Sequence, residues 1–167
     1  IGFGFVYLRK TDLPSDVLAE DLRHAFDDPL GDEAVDYFDR LTFSREHDYA
    51  DTVFELDPAT ALERVYLPGD EGWSLEVTRV HRGNGPNWQH EIDDLGAALL
   101  AGMTPGGLTL CELVELLAAA HGIDETALLD ASSTLVAGLH RHGLVRPRRA
   151  GGPVPAAETF SATSQDR

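Results

Sequence analysis

The change of hydrophobic period near residue 93 is the feature that most constrains the fold of this chain. In residues 63–92, apolar side chains alternate with polar ones, as Trp73, Leu75 and Val77 do, and this is the period of a half-buried strand. In residues 93–140 the apolar side chains recur every three or four positions, which indicates amphipathic helices. The turns PGDEG and GNGP divide the first stretch. The sequence therefore predicts three strands, then three helices and a short extended end.

The helical half carries end signals for its helices. Asp93 or Asp94 can cap the first helix, and Thr109 with Glu112 three residues later forms a capping box for the second. Gly122 ends the second helix at a position that favours a left-handed residue. The third helix has an apolar stripe at helical spacing, formed by Leu128, Ala131, Leu135 and Leu139.

Residues 1–60 show a different order of elements. An aromatic and branched run predicts a strand at residues 4–9. Helical spacing predicts helices at residues 16–26 and 32–43, and a short strand is expected at Thr52–Leu56. The predicted fold class is therefore α+β, with an N-terminal strand-plus-helices region followed by a winged-helix domain in which three strands precede three helices.

These patterns divide the chain into three parts. Residues 1–60 form an N-terminal α/β region, and residues 61–147 form the winged-helix domain. Residues 148–167 are poor in large apolar side chains and rich in Gly, Pro, Ala and Ser, so we expect a flexible tail there.

The charge of the chain argues against a nucleic-acid partner. The formal net charge is −16, and nucleic-acid binding takes much of its affinity from Lys and Arg placed against phosphates. The last predicted helix has no Lys or Arg between Glu125 and His140. A helix of this kind repels a polyanion at long range, which argues against nucleic acid as its ligand.

Cysteine use and hydropathy predict a cytoplasmic protein that does not bind membranes. The single Cys111 allows no internal disulfide, and no run of 18 apolar residues is present. The opening IGFGFVYLRK has no basic segment before it and no small-residue cleavage site after it, so it is expected to be a strand and not a signal peptide.

No pattern in the chain predicts an active site, a metal site or a cofactor. His140 and His142 lie two residues apart, so their side chains diverge by about 200° on a helix. The cluster of Glu46, His47 and Asp48 is of a kind that arises by chance in acidic chains. Paired carboxylates fall at turns and helix caps, and no phosphate loop or nucleophile elbow is present. The sequence therefore predicts a protein that is not an enzyme.

Three motifs in the second half carry a family resemblance: IDDLGAALL, GGLTLCELVELL and LVAGLHRHGLV. With the three strands before them, they resemble the precursor-peptide recognition elements of ribosomal natural-product pathways, whose type case is the small peptide chaperone of pyrroloquinoline quinone biosynthesis. The resemblance covers residues 63–147. It implies a protein that binds the leader of a precursor peptide as an extra strand and presents it to a modifying enzyme.

The resemblance also implies where the leader binds. It adds beside the third strand and packs into a slot between that strand and the last helix. Here one wall of the slot would be Trp88, His90 and Ile92, and the facing helix would contribute Leu128, Ser132, Leu135 and Val136. From the residues alone, Trp88 fits a core position as well as a peptide groove. The acids Glu91, Glu125 and Asp130 could steer a basic leader.

The first 60 residues have no counterpart in the small chaperones. Some two-part subunits dock on a modifying enzyme through an N-terminal region, as the partners of multinuclear iron oxygenases do, and by analogy this region would dock an enzyme. Its apolar face of Tyr37, Phe38 and Leu41 is the expected docking surface, with core packing as the other interpretation.

Two other functions stay open at this point. The same helices and the basic end RHGLVRPRR fit a winged-helix regulator that binds DNA. The domain could also be the regulatory winged-helix end of a larger enzyme.

Overall fold

The fold is α+β, with helices and antiparallel sheets, as the sequence predicts. A computed structural model describes residues 4, 6–12, 14, 17, 19, 21, 26 and 29–148. Its elements are, in chain order, α1 (Gly31–Glu46), β1 (Phe54–Leu56), β2 (Thr60–Gly69), β3 (Gly72–Arg82), β4 (Gln89–Glu91), α2 (Asp94–Gly102), α3 (Leu110–His121), α4 (Glu125–Arg141) and β5 (Val145–Pro147). The predicted succession of three strands, three helices and an extended end is confirmed.

Strands β2, β3 and β4 form an antiparallel sheet in that order. At the end of the sheet away from the β2–β3 turn, which we call its base, Leu62 pairs with Val80. The Val80 side chain belongs to the hydrophobic core. The register shifts after Val65 pairs with Val77, which leaves Glu76 as an extra residue on β3. Such a bulge strengthens the local twist and redirects the strand beyond it.

The core lies where the three C-terminal helices pack on the base of the sheet. Its fully buried large apolar side chains come from β1, α2, α3, α4, the α4–β5 turn and β5: Phe54, Leu99, Leu110, Val114, Val136, Leu139, Leu144 and Val145. Gly102 allows α2 to approach α3, because a Cβ at this position would lie 2.7 Å from a methyl carbon of Leu113. The helical periodicity of the sequence thus produces a three-helix layer with one shared apolar interior.

The predicted capping box of α3 is present. The Thr109 side chain accepts a hydrogen bond from the Glu112 backbone, and the Glu112 carboxylate accepts one from the Thr109 N–H at 2.7 Å. These bonds hold the pKa of Glu112 below its usual value. Gly122 follows the helix with φ of 66°, as predicted for a C-terminal glycine.

Replacing Thr109 with alanine should lower the free energy of unfolding by about 1 kcal/mol, because helix α3 loses its N-terminal acceptor. Thr126→Ala is the matched control, since Thr126 is exposed in the first turn of α4, where Asp124 is the cap. Urea unfolding of both variants measures the difference, and equal losses would contradict a capping role for Thr109.

Helix α1 and strand β1 belong to the same core as the C-terminal helices. Strand β1 pairs with β5, matching Leu56 with Val145, and Phe54 is a core residue. From α1, the partly buried Phe43 packs against this core. The boundary predicted between residues 60 and 61 therefore does not separate two cores.

A triad of charged side chains, Glu33, Arg40 and Arg82, links α1 to the rest of the fold. The Glu33 carboxylate receives Arg40 on one oxygen and Arg82 on the other, the latter at 2.8 Å. All three side chains are largely buried, with exposed fractions of 10–13%. Arg40 also donates from Nε to the backbone oxygen of Arg141 at 3.0 Å. These contacts join α1, β3 and the end of α4 at a single point.

The N-terminal predictions meet the structure only in part. Residues 4 and 6–9 lie outside any strand and are exposed, so the predicted first strand is wrong for these residues. The predicted helix at 16–26 falls mostly outside the described residues, and so does the predicted tail beyond residue 148. The predicted helix at 32–43 and the short strand ending at Leu56 are confirmed as α1 and β1.

Candidate functional site

Strand β4 forms one edge of the three-stranded sheet. Its backbone bonds to β3 run through alternate residues: Arg82 N–H donates to the Trp88 oxygen at 3.1 Å, and Ile92 N–H donates to the Thr78 oxygen at 3.0 Å. Backbone groups of an antiparallel strand alternate in direction. The N–H and C=O groups of Gln89 and Glu91 therefore point away from β3, towards a side where the described residues provide no further strand.

The helix-facing side of β4 is occupied by rings of the protein itself. His90 Nε2 lies 2.8 Å from His142 Nδ1, and the Trp88 ring stacks on His142 with centroids 4.4 Å apart. Gly138 of α4 lies beside this cluster, where a Cβ would be in ordinary contact with His90 Cε1 at 3.4 Å. The Trp88 Nε1–H is buried and has no acceptor in the described part of the chain.

The predicted far wall of the slot is mostly core. Leu128, Ser132 and Val136 have exposed fractions of 8%, 5% and 0%. They are covered by the protein's own packing, so their predicted contact with a bound peptide is wrong. The physical reason is that the stripe predicted to face a ligand is the same stripe that packs α4 onto α3 and into the shared core.

Leu135 and Ile92 are brought together, but against α2. A Cβ placed on Gly96 would lie 3.2 Å from a Leu135 methyl carbon and 3.3 Å from the Ile92 Cβ. Both side chains are partly buried against the core. The end of the slot near Ile92 is thus closed by the first turn of α2, while the edge of β4 stays open.

The exposed face of α4 carries small residues and acids. Glu125 and Asp130 lie on this face, and no base occurs before Arg141 at the C-terminal end. The other exposed positions are Thr126, Ala127, Ala131 and Thr134. Up to Arg141, the charged side chains of this face are therefore acidic.

The predicted docking residues of α1 have different environments. Tyr37 and Leu41 line a cleft of about 160 Å³ between α1 and α4. Phe38 instead lies under the guanidinium of Arg9, 5.3 Å from the ring centre. All three are partly buried, so they form no continuous exposed apolar face.

His140 lies at the base of this cleft, away from His142. Tyr49 Oη is 2.8 Å from His140 Nδ1, and the rings of Phe43 and Phe54 are 5.2 and 5.9 Å away. Burial, with a smaller contribution from Arg40, lowers the pKa of His140 to about 4. The ring is therefore neutral at pH 7. The predicted divergence of His140 and His142 is confirmed.

A surface that the sequence did not indicate lies on the outer half of the β2–β3 hairpin. Tyr66 pairs with Leu75, and Pro68 pairs with Trp73, on one face of the hairpin. These apolar side chains are exposed, Trp73 to 74%. The half-buried pattern predicted for Trp73 and Leu75 is wrong, since the bulge breaks their common face with Val77 and the described residues do not cover the outer hairpin; Val77 itself is partly buried.

Two other properties concern the described residues alone. They contain no group of three or more His, Cys, Asp or Glu side chains placed to hold a metal ion. None of their helices is both long enough and apolar enough to cross a membrane.

A family profile described as a domain of unknown function (DUF7782) matches residues 35–147, more than half of the chain. The chain belongs to this family. Among curated proteins, no relative matches the sequence.

The DUF7782 match begins inside α1 and ends with the last residue of β5. It therefore contains the β4 edge, the α1–α4 cleft and the hairpin surface together. It also crosses the boundary predicted at residue 60, in agreement with the shared core.

Proposed function

We propose that the DUF7782 domain is a non-catalytic binding module that holds an extended peptide as an added strand on the open edge of β4. In its specific form, the peptide is the leader of a ribosomally made precursor peptide, and the domain presents it to a modifying enzyme in the cytoplasm. The observation that supports this proposal is the outward direction of the backbone groups of Gln89 and Glu91.

An open strand edge favours this kind of ligand for a simple reason. Its backbone N–H and C=O groups bind the backbone of an extended chain, and neighbouring side chains then provide selectivity. On β4, Gln89 and Glu91 together offer two backbone N–H donors and two C=O acceptors. This is enough to pair with a short segment of an added antiparallel or parallel strand. Selectivity must come from exposed residues beside the edge, because Leu128, Ser132 and Val136 lie in the core.

Charge supports a basic peptide over a nucleic acid. Glu91 lies on the edge itself, and Glu125 and Asp130 are exposed on α4. Carboxylates near a binding edge attract a basic ligand and raise its association rate. A DNA-binding helix would need Lys or Arg on the face that α4 leaves exposed, so the alternative of a DNA-binding regulator receives no support from this surface.

A Gln89→Pro variant should lose peptide binding by tenfold or more, because proline removes an outward N–H and places its ring at the edge. Gln89→Ala is the matched control, since it removes the side chain but retains the N–H. Fluorescence anisotropy with labelled leader segments from precursor peptides of the source genome measures both variants. Binding that survives Gln89→Pro would contradict strand addition on β4.

Hydrogen exchange gives a second measurement that depends on the place of binding. A bound strand should slow exchange of the Gln89 and Glu91 amides, which are otherwise open to water. A peptide that binds elsewhere would leave these two amides unchanged. Absence of binding for all leader segments at tens of micromolar, with and without a partner enzyme, would refute the leader-binding form of the proposal.

A further inference from the structure

The cleft between α1 and α4 differs in charge from the rest of the protein. Its volume is about 160 Å³, and its lining contains no Asp or Glu, although the chain has a net charge of −16. The lining consists of two arginines, three hydroxyl-bearing side chains, one histidine and two apolar side chains: Arg40, Arg141, Tyr37, Ser44, Tyr49, His140, Leu41 and Ala137.

The two arginines of the cleft differ in the partners that their guanidinium groups have. Arg40 is committed, because it binds Glu33 and donates from Nε to the Arg141 backbone. Arg141 is exposed, and among the described residues its guanidinium interacts electrostatically with Tyr49 but has no hydrogen bond or ion pair. A single guanidinium with free N–H groups matches the two oxygens of one carboxylate. The cleft thus offers one anchoring cation for a ligand.

The remaining walls fit a flat apolar group. The rings of Tyr37 and Tyr49 and the side chains of Leu41 and Ala137 supply apolar surface. The His140 ring adds no charge at neutral pH, since burial lowers its pKa to about 4. A cavity of about 150 Å³ is large enough to bind benzene, so a single aromatic ring matches the volume here.

We propose that the α1–α4 cleft binds a small aromatic group that carries one carboxylate. The carboxylate binds Arg141, and the ring packs against the apolar wall. This chemistry is supplied either by a free aromatic acid or by an aromatic residue at the C-terminus of a peptide. The site uses Ala137, His140 and Arg141 of α4, whereas Gly138 faces His90, so it is separate from the β4 edge.

Titration of the full chain, labelled with ¹⁵N, with phenylacetate tests this proposal by nuclear magnetic resonance. Amide shifts should concentrate around Leu41, Ala137 and Arg141, and the neutral isostere phenylacetamide should bind at least tenfold more weakly, because it loses the charge-assisted bond. N-acetyl-phenylalanine distinguishes the two sources of ligand: tighter binding than phenylacetate indicates a peptide end, and weaker binding indicates a free acid.

Variants separate the site from nonspecific binding. Arg141→Ala should weaken phenylacetate binding at least tenfold, and Ala137→Met should do so by filling the cleft. Arg146→Ala is the matched control, because Arg146 is exposed and pairs with Glu55 on β1. The proposal is overturned if phenylacetamide binds as tightly as phenylacetate, if Arg141→Ala leaves binding unchanged, or if no shifts occur around the cleft at tens of millimolar.

Discussion

Replacing Glu33 with alanine is expected to lower the free energy of unfolding by about 3–5 kcal/mol, the usual cost of removing one partner from a buried ion pair. Glu33 is the only anion that the described structure places between the guanidinium groups of Arg40 and Arg82. Without it, two largely buried cations face each other without compensation. The loss should be measured by urea unfolding at constant pH and salt.

An exposed ion pair supplies the comparison for this experiment. Arg146 is 51% exposed in its pair with Glu55, so Glu55→Ala should cost less than about 1 kcal/mol. Glu33→Gln should fall between the two alanine variants, since it removes the charge but retains an acceptor oxygen. A loss for Glu33→Ala no larger than that for Glu55→Ala would show that the triad does not fasten α1.

The order of the elements could be predicted because it depends on local patterns. The alternation of apolar and polar residues in β3 and the helical spacing of apolar residues in α2–α4 are each visible within a single segment. Capping residues such as Thr109 and Gly122 mark the ends of a helix. The pairing of β1 with β5 joins residues about 90 positions apart, and no local pattern records it. For the same reason, the sequence placed a domain boundary at residue 60 where the structure has a shared core.

Of the candidate site, the residues at the β4 edge could be predicted from the sequence, whereas the surroundings of the predicted α4 wall could not. Trp88, His90 and Ile92 do lie at β4, because the alternation there is local. The apolar stripe of α4 could equally pack on a core or face a ligand, and the choice depends on which other elements approach it. In the structure that stripe packs into the core, where α3 is the main neighbour of α4, and Val136 is completely buried.

The charged part of the cleft left no signal in the sequence for a related reason. Its arginines lie about 100 residues apart in the chain, and each one alone reads as an ordinary surface charge. The same holds for the contact between Glu33 and Arg82. Patterns of residue type reveal which face of a helix is apolar, whereas the partner of a charged side chain is set by the tertiary fold.

The stability of the protein is expected to depend on pH through the buried ring of His140. Burial and Arg40 lower its folded-state pKa to about 4 from the ordinary 6.5. The unfolded chain therefore takes up this proton more readily than the folded chain does. The stability that His140 contributes is present above pH 6.5 and is lost as pH falls towards 4, to a total of about 3 kcal/mol.

A His140→Gln variant isolates this contribution, because glutamine can still bond to Tyr49 Oη but does not titrate. Between pH 7 and pH 5 the wild-type chain should lose about 2 kcal/mol more stability than the variant does. His121→Gln is the control, since His121 is exposed at the end of α3, and it should retain the wild-type slope. The comparison is made by urea unfolding at each pH, where carboxylates contribute equally to all three chains. Parallel stability curves for the wild type and His140→Gln would mean that the pKa of His140 is the same in the folded and unfolded chains, so that Tyr49 and its aromatic neighbours do not exclude water from the ring.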